Sequence, residues 1–465
     1  MTRVEPLEKR ILPQPRDWKK ILGVGIVVVG MAMGTGELIM WPHLVTRYGL
    51  AILWLGLVGI SIQYFINQEV ARGALATGES FFTSSMRVLP YSPLFWFLAA
   101  ILLYIWPAWA ASLGTILVQL FGFGSYMLWS WISLGMVLFI TFSGKVAYGV
   151  LEKSLKVTVP TFFLILIVIS FSNLNLSVIT EALRGLVNFG YVPENVDWSV
   201  LLGAMVFAGA GGMLNLCVSL WYRDKQLGMA EYVGKIANPI SGKPEAVSVT
   251  GYTFEDTPEN RRNWRGWMRY VRVDQGIIFW LLGLLTLILL AVNAYAVLSP
   301  QGIVPEGMEL VSAQAQIFSA SWGRVGEVIY LVMAYLMLFS VMWTVLDALT
   351  RMATDIIHTN ARTGVFVPVL KKLRGISIHN LYYGLMLLFV LVSALFIPFQ
   401  QPFILLIITS VLGGLTTAIY IPLILYINNT RLPKFIRPGI VTNVVLVFSG
   451  LLYWYFVWNV VSGLV

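Results

Sequence analysis

One acidic residue, Glu37, stands in the middle of an apolar stretch, directly after Gly34-Thr35-Gly36, and nothing else between Gly23 and Trp41 carries charge. The stretch from about 21 to 44 is roughly long enough to cross a bilayer. A carboxylate at that depth costs about 2.5 kcal/mol or more unless it has a partner, a water-filled cavity or a task. Two glycines within three residues weaken the helix, which frees backbone carbonyls on one side and amides on the other. A carboxylate beside freed carbonyls is chemistry for holding a cation. The plainer reading is that Glu37 caps the second half-helix, but a neutral Ser or Asn would do that at less cost.

A second interruption, Ala208-Gly209-Ala210-Gly211-Gly212, is followed by Met213, Asn215 and Cys217. An amide oxygen such as that of Asn215 ligates hard cations, and the Met213 thioether prefers softer ones; packing is the competing role for both. Glu37, carbonyls near Gly34 and Thr35, one near Gly209, and Asn215 would form a mostly oxygen shell with one formal negative charge. A divalent ion would stay net positive in it, which favours a partly hydrated ion. Asp347 and Arg351, four residues apart, can pair on one helix face and are expected to form an ion pair or an inner-gate contact. Glu69 and Arg72 read as structural.

The elements that position these groups are membrane helices. The chain has 465 residues, 58% of them hydrophobic and 11% charged, a composition outside the soluble globular range. Eleven spans are expected, near residues 20–46, 50–76, 93–120, 124–144, 154–174, 199–222, 273–298, 326–355, 377–398, 401–428 and 438–463. With the N-terminus in the cytoplasm, all but three of the 31 Lys and Arg residues (Arg47, Arg184 and Arg324) fall on the inner side. The positive-inside rule then puts the C-terminus outside, in a cell membrane. The net charge of +9 is therefore a topology signal, and no nucleic-acid partner is expected.

Residues 1–19 form an N-terminal arm that reads neither as a signal peptide nor as a transit peptide. The two interruptions lie five spans apart, the pattern of an inverted repeat with its binding site between the breaks. Residues 20–174 would be the first repeat and 199–428 the second, with 438–463 an added span. A polar stretch, 223–272, is read as a solvated cytoplasmic loop with a short interfacial helix, its Trp264 and Trp267 able to sit at headgroup level. The stretch 299–322 reads as an external loop. The single cysteine, Cys217, reads as packing, and no nucleotide loop, metal-ligand cluster, nucleophile motif or cofactor site is found, which argues against an enzyme or a primary pump.

Gly23-Val24-Gly25, the Gly-Thr-Gly-Glu break, Tyr48-Gly49, Gln63-Tyr64 and Ala76-Thr77-Gly78-Glu79 resemble the Nramp family of divalent-metal transporters. The resemblance implies an all-α polytopic fold of about 11 transmembrane helices, a LeuT-like 5+5 inverted repeat with helices 1 and 6 broken. Typical Nramp proteins have Asp-Pro-Gly-Asn in the first break, so the carboxylate here stands at the Asn position. Of the Met-Pro-His-Asn of the second break, Asn215 is retained, and Gly212 or a shifted Met213 stands at the Met position. The chain therefore looks like divergent Nramp-related proteins, some of which transport magnesium. The family's acidic groups on span 3 and basic group on span 9, a proton route, are absent.

These readings lead to a secondary transporter of a divalent cation of the magnesium or manganese class, working by alternating access, with or without proton coupling. A transporter of a small organic solute, an amine or an amino acid, and a non-transporting ion sensor are the alternatives. Oligomeric state is not indicated by the sequence.

Overall fold

A computed structural model describes residues 4–17, 23–34, 36–144, 147–237, 246–304, 309–399 and 402–463. Span 1 comprises α1 (Val24–Ala32), a π-helical turn Gly36–Met40 and α2 (Trp41–Tyr48). Every residue of α1 is buried; a helix apolar all round belongs inside a bundle. Span 2 is α3 (Trp54–Thr77), ended by Gly78 in the left-handed conformation and followed by the short α4 (Phe81–Met86). Spans 3 to 5 are α5 (Ser92–Tyr104) with α6 (Ala108–Phe121), α7 (Tyr126–Ser143) and α8 (Ala147–Asn173), after which α9 (Leu176–Leu186) runs to the second half.

Span 6 is α10 (Trp198–Val206), a 3-10 turn Gly212–Cys217 and α11 (Val218–Asp224). α12 (Pro258–Val273) continues through a π-helical stretch, Asp274–Leu281, into α13 (Leu282–Leu298), span 7. α14 (Glu309–Arg362) bends sharply at Gly323 and supplies span 8, and α15 (Ile378–Phe396), α16 (Pro402–Thr430) and α17 (Ile440–Ser462) are spans 9 to 11. Exposed Phe139 on α7 and Trp458 on α17 mark lipid-facing surfaces.

Among the described residues, ten helices are long and apolar enough to cross a membrane. The eleventh expected span, span 6, does not count among them because its break leaves helices of nine and seven residues. A continuous crossing needs about 20.

Two polar stretches differ from their expected form. The described part of the 223–272 stretch is docked on the N-terminal arm. Residues Glu8–Lys9 (β1) pair in parallel with Tyr252–Thr253 (β2). Asn260 Oδ1 accepts from the Leu12 amide at 3.1 Å, Asn263 Nδ2 donates to the Leu12 carbonyl at 3.0 Å, and Trp267 Nε1 donates to the Pro13 carbonyl at 2.8 Å. Trp264 and Trp267 are buried beneath this arm, so they are not headgroup anchors: their rings and the indole N–H are satisfied by the chain itself. The 299–322 stretch is likewise no plain loop. Its second part is the beginning of α14, with Ala313, Gln314, Ala315, Ile317 and Phe318 buried.

Candidate functional site

The two breaks touch. Gly36, opening the π turn of span 1, lies so close to the end of α10 that a Cβ there would stand 1.7 Å from the Phe207 carbonyl oxygen. Only glycine permits this approach. Gly36→Ala is therefore expected to force the two half-helices apart, at about 1–3 kcal/mol, whereas Gly384→Ala, where nothing lies within 4 Å, should be near neutral. Thermal unfolding in detergent distinguishes them, and equal midpoints would contradict this packing.

Glu37 follows within the turn. It is 0% exposed, and neither carboxylate oxygen has a hydrogen-bond partner among the described residues. Burying a charge without partners is costly, so this carboxylate is an open valence inside the bundle. The next carbonyl, that of Leu38, accepts from Gln314 Nε2, and Gln314 Oε1 lies 3.5 Å from the Tyr330 hydroxyl. Gly34, expected to offer a free carbonyl, has one of its lone pairs engaged: its oxygen accepts from the Leu38 amide at 3.1 Å. This is an ordinary i to i−4 helical bond carried across the break. Thr35 lies outside the described residues.

The second break is stapled by span 2. Gln63 Nε2 donates to the Val206 carbonyl at 2.8 Å and Gln63 Oε1 accepts from the Gly211 amide at 2.8 Å. Gly209 is pressed against this same side chain, with room for no Cβ. Further along, Asn215 Nδ2 donates to the Tyr420 hydroxyl at 3.3 Å, which in turn donates to the Gly212 carbonyl at 3.1 Å. The Asn215 amide oxygen is buried and has no partner among the described residues. Met213 and Cys217 are completely buried.

Thus Glu37 sits against the α10 side of the second break, and Asn215 against α16. The three unpartnered oxygens, two of Glu37 and one of Asn215, belong to the two broken spans, but the described residues contain no group of three or more His, Cys, Asp or Glu side chains able to hold a metal. An ion held here would rely on one carboxylate, amide and backbone oxygens, and water.

Beside the breaks lies a buried ionic network; the sequence pointed to its Asp347–Arg351 pair but not to Arg223, Asp224 or Asp355. Arg351 Nε pairs with Asp347 Oδ2 at 2.6 Å, and Arg351 also binds Asp224. Arg223 pairs with Asp355, which accepts from Ser80. Trp221 Nε1 donates to Asp347 Oδ2 at 3.2 Å and the Tyr382 hydroxyl to Oδ1 at 2.5 Å. Two guanidinium groups and three carboxylates thereby join α11 to α14, α15 and the residue preceding α4. Another unforeseen group, Asp274, accepts from the Gly23 amide at 3.2 Å, the Gly25 amide at 2.8 Å and the Tyr222 hydroxyl at 3.2 Å. It caps the start of span 1, where free amides favour a carboxylate. Glu69 is tied to Arg72 at 2.8 Å and to Asn428 Nδ2 at 2.9 Å.

No known family profile and no curated protein matches the chain. Solved structures do. A mutant of the Eremococcus coleocola manganese transporter superposes with a TM-score of 0.65 at 13% identity, over 96% of this chain and 89% of that one. MHP1, a nucleobase-cation-symport-1 family transporter in a closed conformation with bromovinylhydantoin bound, gives 0.56 at 13% identity over 97% and 95%. MhsT in complex with L-phenylalanine gives 0.56 at 16% identity over 95% and 100%. At such identities the likeness is one of fold: this chain is an all-α, multi-pass membrane protein of the LeuT type.

Proposed function

We propose that this protein is a secondary transporter that moves a divalent metal cation of the magnesium or manganese class across the membrane by alternating access. The observation that carries the proposal is Glu37: fully buried, with both oxygens unpartnered among the described residues, in a break of span 1 that abuts the break of span 6. Discontinuous helices facing each other near the midplane are how transporters of this fold build ion and substrate sites. The likeness to a manganese transporter over nearly the whole chain supports a metal, as does the Nramp-like sequence of spans 1 and 2.

The chemistry favours a hard ion. Glu37 and the Asn215 oxygen are oxygen ligands, and with one formal charge among them a divalent ion keeps part of its hydration shell, as magnesium does readily. The same charge disfavours an amino acid, whose carboxylate Glu37 would repel. The Arg351, Asp347 and Asp224 network ties α11 to α14 on the arm side of the breaks and serves as the inner gate, with the N-terminus and the basic connections in the cytoplasm by the positive-inside rule. With no acidic group in the core of span 3 and no basic group in that of span 9, transport runs without proton coupling.

Purified protein in sealed vesicles, given magnesium and manganese in parallel with an internal pH reporter, tests this. Saturable uptake of at least one ion with a flat pH trace is expected. Absence of flux for both ions in folded protein overturns the proposal, and inhibition of binding by amines would then point to an organic cation.

A further inference from the structure

Among the described residues, Gln314 hydrogen-bonds the Glu37 turn from outside the two broken spans. It lies on α14 before the Gly323 bend, in the connection between spans 7 and 8, on the face opposite the N-terminal arm. It is 0% exposed and its amide nitrogen donates to the Leu38 carbonyl, the peptide oxygen one residue beyond Glu37. The residue four positions on, whose amide would ordinarily bond this carbonyl, is Pro42, which has no N–H, so the carbonyl is open to a donor from elsewhere. Tyr330, on the same helix beyond the bend, lies against the other end of the amide. The flanking Ala313, Ala315, Ile317 and Phe318 are buried, so this part of α14 is seated in the bundle like a plug. Gly323, at φ 56° and ψ −146° with open space around it, gives the plug a hinge.

We infer that Gln314 is a positioning residue that latches the outer part of α14 to the Glu37 turn, so that the geometry of the turn and closure of the outer side favour each other. The inference rests on the orientation and transport reading above, but the latch itself is independent of which solute is carried. Coupling of this kind is reciprocal: an ion that fixes the turn around Glu37 favours the seated helix, and a seated helix favours the ion. Nothing in this coupling requires Gln314 to touch the ion.

The experiment places a reporter cysteine at Ala315, 3% exposed within the plug itself, in a chain whose buried Cys217 is replaced by Ser. Labelling by a membrane-impermeant maleimide is followed in sealed vesicles with and without manganese, then with and without magnesium. In the Gln314 background, labelling should be slow and slower still with a transported ion. Gln314→Met, which keeps the length and packing and loses the donor, should raise the rate about fivefold, the equivalent of about 1 kcal/mol, and erase the response to ion. Gln314→Asn, a donor too short to reach, should behave like Met. An unchanged labelling rate in both variants overturns the latch. Faster labelling in Gln314→Met with no response to either ion in the parent supports the latch while removing support for the metal reading, so the two failures are distinguishable.

Discussion

Glu37→Gln abolishes saturable uptake of magnesium and manganese while leaving the protein folded. The amide has the shape of the carboxylate and removes the formal charge at the break. Two unit charges about 4 Å apart at an effective dielectric near 20 are worth about 4 kcal/mol. Their loss corresponds to more than a hundredfold in occupancy at a given ion concentration. Stability should move the other way or stay level, because the wild-type carboxylate is buried and unpartnered among the described residues and its desolvation is a cost the variant escapes. Initial-rate uptake with a thermal melt on the same preparation reads both effects. Wild-type uptake in this variant would remove Glu37 from the site and with it the observation on which the function rests.

The largest expected loss of stability is that of Arg351→Met. Arg351 is 1% exposed and serves Asp347 and Asp224 together. Removing it strands two buried carboxylates between α11 and α14, and breaking such a pair costs about 3–5 kcal/mol. Pairing the change with Asp347→Asn should recover part of the loss, because one of the stranded charges is then gone. Arg324→Met, at an exposed position, should stay within about 0.5 kcal/mol. Resistance to unfolding by a denaturing detergent ranks the three. If Arg351→Met matched Arg324→Met, the network would not be a closed electrostatic unit, and its assignment as the inner gate would fall with it.

The sequence alone determined the membrane class, the placement of the spans, the two breaks and the isolation of Glu37. Each of these is written in a window of about 20 residues: apolar run length, glycine density and the sidedness of Lys and Arg are local quantities, and local quantities survive without a fold. Even span 6, whose break leaves helices of nine and seven residues, was legible, because the glycines that break it are close together in the chain. Tertiary structure decided which polar groups are buried and whom they meet. Arg223, Asp224 and Asp355 look like ordinary members of a basic connection until α11 is packed on α14, 132 residues away at the Arg223 pair. Asp274 looks like a polar residue at the mouth of span 7 until it is found on the amides of Gly23 and Gly25, across separations of 251 and 249 residues. Trp264 and Trp267 have the composition of a headgroup belt, and only the docked arm shows that both rings are buried and that the Trp267 N–H is already spent. Gln314 carries no local signal at all, being one amide in a polar connection. Its role arises because Pro42 has no N–H to give the Leu38 carbonyl in a low-dielectric interior, where an unmet polar group is costly enough to recruit a partner from a distant part of the chain.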